Sequence, residues 1–323
     1  MTTTALDCPL CGGLSDFHAF ASDTEYFTTP GQFEYRNCRA CDVLFVTPML
    51  ADKLDLIYPE NYYSFSVGSE KNVITRIKEW FDARLLRKIL KNIPGDTIRV
   101  LDVGGGTGWL SSVARKIDPR VTFTQIIDLD AGAQARAEKD GHSYFIGRIE
   151  DYKSDHPFDL ILMLNLIEHV AHPDEVLVNT QTLLSEKGRV LIKTPNFRSL
   201  DAVLFRHHGW GGYHCPRHFV LFSREGLNRT LNTAGLTVER FRYTQGAPFW
   251  VGSILRMLWQ RGIISASAER PYATNPITPP LLALTAAFDF ARRPFSRLSQ
   301  MIVVARKTKS DALDAPVAPK HHY

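Results

Sequence analysis

The stretch Ile98-Arg-Val-Leu-Asp102-Val-Gly104-Gly-Gly106-Thr-Gly108-Trp-Leu110 decides how the rest of the chain is read. An apolar, β-branched run passes into a glycine cluster, and residues 111–117 resume with helical character. This pattern predicts a strand, a tight turn and a helix. Gly104, Gly106 and Gly108 alternate after Asp102 in a D-x-G-x-G-x-G spacing, which differs from the G-x-G-x-x-G dinucleotide fingerprint. Main chain bare of side chains at alternate positions lets a ligand lie directly on the strand end. Asp102 adds a carboxylate suited to an ammonium group or an ordered water. No Lys-Ser/Thr pair follows the glycines, which excludes a P-loop.

Around this stretch lies a chain of 323 residues, long enough for about two domains. With 44% hydrophobic and 22% charged residues, it has the composition of a globular protein and not of a disordered, collagenous or membrane-spanning one. A net charge of +4 is too small to indicate a nucleic-acid binder by itself. The N-terminus shows no basic region followed by an apolar stretch, so the expected location is cytoplasmic. The longest apolar runs, 248–259 and 279–288, fall short of the roughly 20 residues a spanning helix needs.

Four of the five cysteines form two pairs, Cys8-Pro-Leu-Cys11-Gly and Cys38-Arg-Ala-Cys41-Asp. Each C-x-x-C turn brings two thiolates to one ion, and two such turns make a tetrahedral Cys₄ zinc site. The segment between them, rich in Phe, Tyr and Thr, would supply the short strands of a zinc ribbon. A thioredoxin-like redox motif instead needs a single C-x-x-C beside a βαβ unit. Four thiolates fill the coordination shell and leave no position for water, so this zinc is expected to be structural.

From the glycine turn onward the chain resembles the class I S-adenosylmethionine-dependent methyltransferases, over about residues 72–307. V-L-D-V-G-G-G-T-G is that family's most recognisable motif. The resemblance implies an α/β, Rossmann-like, seven-stranded methyltransferase sheet, here joined to the small N-terminal zinc ribbon. It implies cofactor contacts at Asp102, Gly104, Gly106 and Gly108. An acidic residue after the second strand is expected to hold the ribose. Phe123-Thr-Gln-Ile-Ile-Asp128-Leu-Asp130 offers two, with Asp130 preferred at the end of the apolar run and Asp128 as the alternative. A helix N-cap is the other role open to Asp130. Ile149 and Glu150 would flank the adenine, although Arg148 stands where the family often has Asp. Asn165, in Phe158-Asp-Leu-Ile-Leu-Met-Leu-Asn165-Leu-Ile-Glu-His169, would sit near the cofactor.

Methyl transfer from a sulfonium is an in-line displacement, so alignment and removal of the acceptor's proton are what a protein contributes. The segment Arg206-His-His-Gly-Trp-Gly-Gly-Tyr-His214-Cys-Pro-Arg-His218-Phe-Val-Leu-Phe222 leaves the carboxyl end of a predicted strand, where α/β sheets bind ligands. It resembles the P-R-H-x-x-x-F-S stretch of UbiG-like and bacterial zinc-ribbon methyltransferases. His218 is the first candidate for general base, followed by His214 and His169. A metal site built from His207, His208, His214 and His218 lacks the H-E-x-x-H spacing. Cys215 as a nucleophile would need a covalent intermediate that such enzymes do not form.

The resulting division is a zinc ribbon at 1–50, a linker and covering helix at 51–94, a methyltransferase domain at 95–307 and a disordered tail at 308–323. In the covering helix Val73, Ile77, Trp80, Phe81, Leu85 and Ile89 share one face, which is expected to lie on the sheet. Tyrosines of the Y-P-x-x-Y-Y segment, beginning at Tyr58, would line the cofactor pocket or pack the joint. The methyltransferase domain carries an insertion at 248–298 with six arginines against two acids and many apolar residues. That insertion suits a lid, a homodimer surface, or peripheral contact with a membrane or lipid-linked substrate.

The expected partner is a small-molecule methyl acceptor of the sugar, glycan, natural-product or polyprenyl-phenol class, methylated on oxygen. Two rivals remain. A nicotinamide-dependent oxidoreductase is disfavoured by the glycine spacing. A nucleic-acid-binding ribbon is disfavoured by Asp16, Asp23, Glu25, Glu34 and Asp42 crowding that segment, so no nucleic-acid partner is expected.

Overall fold

The fold is that of a computed structural model, which describes residues 6–59 and 73–309. The cysteine-bearing segment forms three short antiparallel strands, β1 (Ser15–Ala21), β2 (Phe33–Cys38) and β3 (Val43–Thr47). The turn α1 (Leu54–Ile57) follows, and then the helix α2 (Val73–Leu90). Tyr62, Tyr63 and most of the predicted tail lie outside the described residues.

The remaining chain alternates strands and helices. β4 (Ile98–Val103) leads through the glycine turn into α3 (Trp109–Ile117), and β5 (Val121–Asp128) into α4 (Ala131–Lys139). Next come β6 (Ser143–Ile146), β7 (Phe158–Leu164), α5 (Pro173–Leu183) and the long β8 (Leu184–Pro195). After α6 (Leu200–Leu204) the chain forms β9 (Val220–Phe222), α7 (Arg224–Thr233) and β10 (Leu236–Thr244). Two helices, α8 (Ala247–Gln260) and α9 (Thr278–Arg292), fill the insertion before β11 (Gln300–Lys307).

Seven of these strands make one sheet in the order β10-β11-β8-β7-β4-β5-β6. The five strands from β8 to β6 run parallel, and β11 is antiparallel to both its neighbours. β4 and β7 are near-continuous apolar runs because a parallel strand covered on both faces has no polar side. The chain leaves β4 for β5 on one side and later returns to β7 on the other. The carboxyl end of β4 is therefore the topological switch point where such sheets take their ligands.

α2 covers the sheet with a different face from the one predicted. Ala83, Leu86, Ile89 and Leu90 are buried against Val113 and Ala114 of α3, whereas Ile77, Trp80 and Phe81 are more than half exposed. Among the described side chains the buried stripe of α2 begins at Ala83, so Ile77, Trp80 and Phe81 stand outside it, and the side chain of Val73 lies outside the described residues.

The cysteine ribbon shares its sheet with the rest of the protein. β9, from the histidine-rich segment, pairs antiparallel with β3 through Val43–Phe222, Leu44–Leu221 and Phe45–Val220. Tyr35, Leu44 and Val46 accordingly belong to the same buried cluster as Ile161, Phe219 and Leu227.

Candidate functional site

The glycine turn takes the backbone through positive φ at Gly104 (+70°), Gly106 (+53°) and Gly108 (+82°). At Gly104 a Cβ would come within 2.9 Å of Leu166 Cδ1, so the turn lies against the segment leaving β7. At Gly106 a Cβ would meet nothing within 4 Å, which makes that side of the turn an open cradle. Asp102 sits beneath it, buried and accepting a hydrogen bond from Ser111 Oγ at 3.1 Å. Burial pushes its carboxyl up to about 7, with the nearby Asp128 adding to the shift and Ser111 opposing it.

Of the two acidic candidates, Asp128 ends β5 and faces the turn. Its Oδ2 accepts the Gly106 N–H at 2.8 Å and its Oδ1 the Asp130 N–H at 3.0 Å. Burial raises its carboxyl above the ordinary range against the pull of these two N–H groups. Asp130 lies one step further out, where its carboxylate caps α4 by accepting the Gly132 N–H at 2.8 Å. Ile149 is buried and Glu150 half-buried, both on a 3-10 turn after β6. Asn165 follows β7 with φ +54° and accepts from Gln300 Nε2 at 3.4 Å.

Beyond Asn165 the chain brings the three predicted histidines together. The ring centroids of His169 and His218 are 4.6 Å apart, those of His214 and His218 5.0 Å, and those of His169 and His214 6.0 Å. Among the described residues, none of His207, His208 and His214 joins a set of donor atoms close enough to share one ion. His218 is buried and donates Nδ1–H to the Gly212 carbonyl at 2.8 Å. Burial drives its pKa well below the ordinary range, and the neighbouring His169 and His214 push the same way. His169 Nδ1 meets Tyr58 Oη at 2.8 Å and the Arg217 carbonyl at 3.2 Å, and burial lowers its pKa to about 3. His214 Nδ1 lies 2.6 Å from Glu25 Oε2, with its backbone left-handed at φ +38°. Cys215 is buried, and burial pushes its thiol up to about 12, which leaves no thiolate for nucleophilic work.

Glu168, fully buried beside these rings, accepts from Thr194 Oγ1 at 2.9 Å through Oε2, and its Oε1 has no hydrogen-bond partner among the described residues. Burial raises this carboxyl to about 8. Donor atoms of Glu168, His169 and His218 lie within 4.8 Å of one another, close enough to share one ion.

The four paired cysteines meet at the base of the ribbon. Cys8 Sγ lies 3.7 Å from Cys41 Sγ, and Cys11 Sγ 3.5 Å from Cys38 Sγ. Zn–S bonds of about 2.3 Å in a tetrahedron place sulfurs about 3.8 Å apart, so the donor set fits zinc. Gly12 (φ +67°) and Asp42 (φ +53°) take the left-handed backbone that closes each knuckle.

Sequence reasoning passed over Glu25, Asp23, Arg217 and Glu168 as site residues. The available signal was the acidic crowding of the ribbon facing a segment rich in His and Arg.

A family model described as a methyltransferase domain matches residues 75–240, just over half of the chain. The chain belongs to that family, and its sheet is the Rossmann-like sheet of class I S-adenosylmethionine-dependent methyltransferases. The ubiquinone biosynthesis O-methyltransferase of Xylella fastidiosa (strain 9a5c) is 33% identical over 121 residues, covering 36% of this chain and 49% of that one. The mitochondrial ubiquinone biosynthesis O-methyltransferase of Candida albicans is 32% identical over 109 residues, covering 31% and 33%. The chain thus spans a third to a half of the length of these curated relatives. Among solved structures, coclaurine N-methyltransferase superposes with a TM-score of 0.50 at 13% identity over 74% of this chain and 76% of that one, a likeness of fold.

Proposed function

We propose that this protein transfers a methyl group from S-adenosylmethionine to an oxygen of a small-molecule acceptor. The observation that carries this reading is the open cradle at Gly106, backed by Asp128 at the end of the neighbouring strand. The cofactor supplies an electrophilic methyl group on a sulfonium. Asp128 is our ribose ligand, since each carboxylate oxygen can accept a further hydrogen bond besides the N–H it already holds. Asp130 shapes the same corner through its helix cap. Ile149 and Glu150 flank the adenine in this reading, and Asn165 stands beside the methionine part.

His214 is our candidate for the base that takes the acceptor's proton. Its Nδ1 is matched to the Glu25 carboxylate, which orients the ring. His218 and His169, whose pKa values burial drives down, stand beside it, their ring centroids 5.0 and 6.0 Å from that of His214. A phenolic oxygen is the acceptor class we favour, because the curated relatives are named for ubiquinone biosynthesis. A cytoplasmic setting suits a Cys₄ site that needs reduced thiols. No helix among the described residues is long and apolar enough to cross a membrane. Leu284, Phe288, Phe290 and Phe295 are nonetheless exposed beside Arg293 and Arg297, a surface suited to a lipid-linked acceptor.

The test is incubation of the protein with methyl-labelled cofactor and a cell extract, followed by mass spectrometry. A labelled methyl ether is expected. Label found only on amines, or no turnover-dependent label, would refute the reading.

A further inference from the structure

We infer that the cysteine ribbon is part of the catalytic site, with Glu25 as the positioning residue of His214 and the four-cysteine centre holding the hairpin that carries Glu25. This rests on the methyltransferase reading above and extends it to a segment outside the matched family region.

The hairpin joins the two places. β1 and β2 pair from Ser15–Cys38, next to the cysteines, to Ala21–Phe33 at the far end. Six residues of strand span roughly 20 Å. The loop beyond Ala21 is folded tightly by Asp23, whose carboxylate accepts the Tyr26 N–H at 3.2 Å, the Thr28 N–H at 2.8 Å and the Thr28 hydroxyl at 2.6 Å.

This loop is keyed to residues 213–217 at several points. Asp23 accepts Arg217 Nη1 at 3.3 Å and Nη2 at 3.2 Å, and neither side chain has any exposed surface. The Arg217 guanidinium also lies 4.6 Å from the centre of the Tyr26 ring. Tyr35 of β2 stacks on Tyr213 at 4.4 Å and donates its hydroxyl to the Tyr213 carbonyl at 3.0 Å. Between these contacts sits the Glu25–His214 pair.

A carboxylate accepts only, so this pairing puts a His214 proton on Nδ1 and fixes the orientation of the ring. The left-handed backbone of His214 is uncommon for a residue with a side chain and persists only where its surroundings hold it. Glu25 and the β9 pairing with β3 supply that hold from the ribbon side. Zinc at the base of the hairpin would therefore act on the methyl-transfer site through the strands, without touching acceptor or cofactor.

The test uses the full, zinc-loaded chain with ¹⁵N-histidine. Three samples are compared at one pH: the parent, Glu25→Ala, and the parent treated with a zinc chelator. Glu25→Gln, which keeps an acceptor oxygen but no charge, is the conservative control. Imidazole nitrogen shifts report the His214 tautomer, S-adenosylhomocysteine titration reports the cofactor site, and label transfer to the extract reports turnover. In Glu25→Ala and in the chelated chain we expect His214 to lose its fixed Nδ1–H signature and turnover to fall at least tenfold. Cofactor-product affinity should change less than twofold, and Glu25→Gln should restore the tautomer in part. An unmoved His214 signature in Glu25→Ala would overturn the inference, as would loss of S-adenosylhomocysteine binding on chelation, which would mean a general collapse. Failure of the parent itself to bind S-adenosylhomocysteine would instead remove the methyltransferase reading.

Discussion

Replacing Glu168 by Gln tests the electrostatics of the histidine cluster in a single step. The carboxyl is fully buried, its Oε2 accepts from Thr194, and burial raises its pKa from an ordinary 4.5 to about 8. Between those two values the folded protein keeps the proton and the unfolded chain has lost it. Stability from this group therefore falls as pH rises from about 4.5 and levels off above about 8. At about 1.4 kcal/mol per pH unit, the fall between pH 6 and pH 8 is about 2 kcal/mol. Glutamine preserves the shape and an acceptor for Thr194 but does not titrate. Glu168→Gln should thus gain about 2 kcal/mol over the parent on going from pH 6 to pH 8. Paired urea unfolding curves of the zinc-loaded proteins at both pH values measure this, with m-values compared to confirm a common transition. Equal stability differences at the two pH values would show that Glu168 is ionised in the fold and refute the reasoning.

Asp128→Asn should weaken S-adenosylhomocysteine binding about tenfold or more in calorimetry, since a charge-assisted hydrogen bond is worth about 1.5–3 kcal/mol. Asp130→Ala should leave that affinity unchanged and cost about 1 kcal/mol in thermal or urea unfolding through loss of the helix cap. Cys8→Ser should abolish stoichiometric zinc, read by metal analysis of purified protein, and unfold the ribbon hairpin, read by amide exchange at β1 and β2.

Much of the sheet was legible because its strands are long apolar runs punctuated by turn residues. The pattern around Gly104, Gly106 and Gly108 marked the switch point. The corner after β5 was harder. Leu129 prolongs the apolar run in the sequence, yet in the fold it is exposed by half, and the strand has already ended at Asp128. The face of α2 was misjudged for a related reason. Helical spacing finds a stripe but does not say how far along the helix the core extends, and here it stops short of Ile77, Trp80 and Phe81.

The link between ribbon and histidines lay beyond local pattern altogether. Glu25 and His214 are 189 residues apart, and Asp23 and Arg217 194. Neither pair leaves a periodicity, and the acidic residues of the ribbon read in sequence only as an argument against nucleic acid. What the sequence did carry was the chemistry of each partner, acids on one segment and His and Arg on the other, without their pairing.

In the proposed function the bare main chain after β4 receives an adenosyl sulfonium and not a dinucleotide. Calorimetric titration of the purified chain with S-adenosylhomocysteine and, separately, with NADH tests this most directly. One equivalent of S-adenosylhomocysteine should bind, with affinity lost in Asp128→Asn, and NADH should give no heat of binding. Saturable NADH binding, or silence toward S-adenosylhomocysteine, would contradict it.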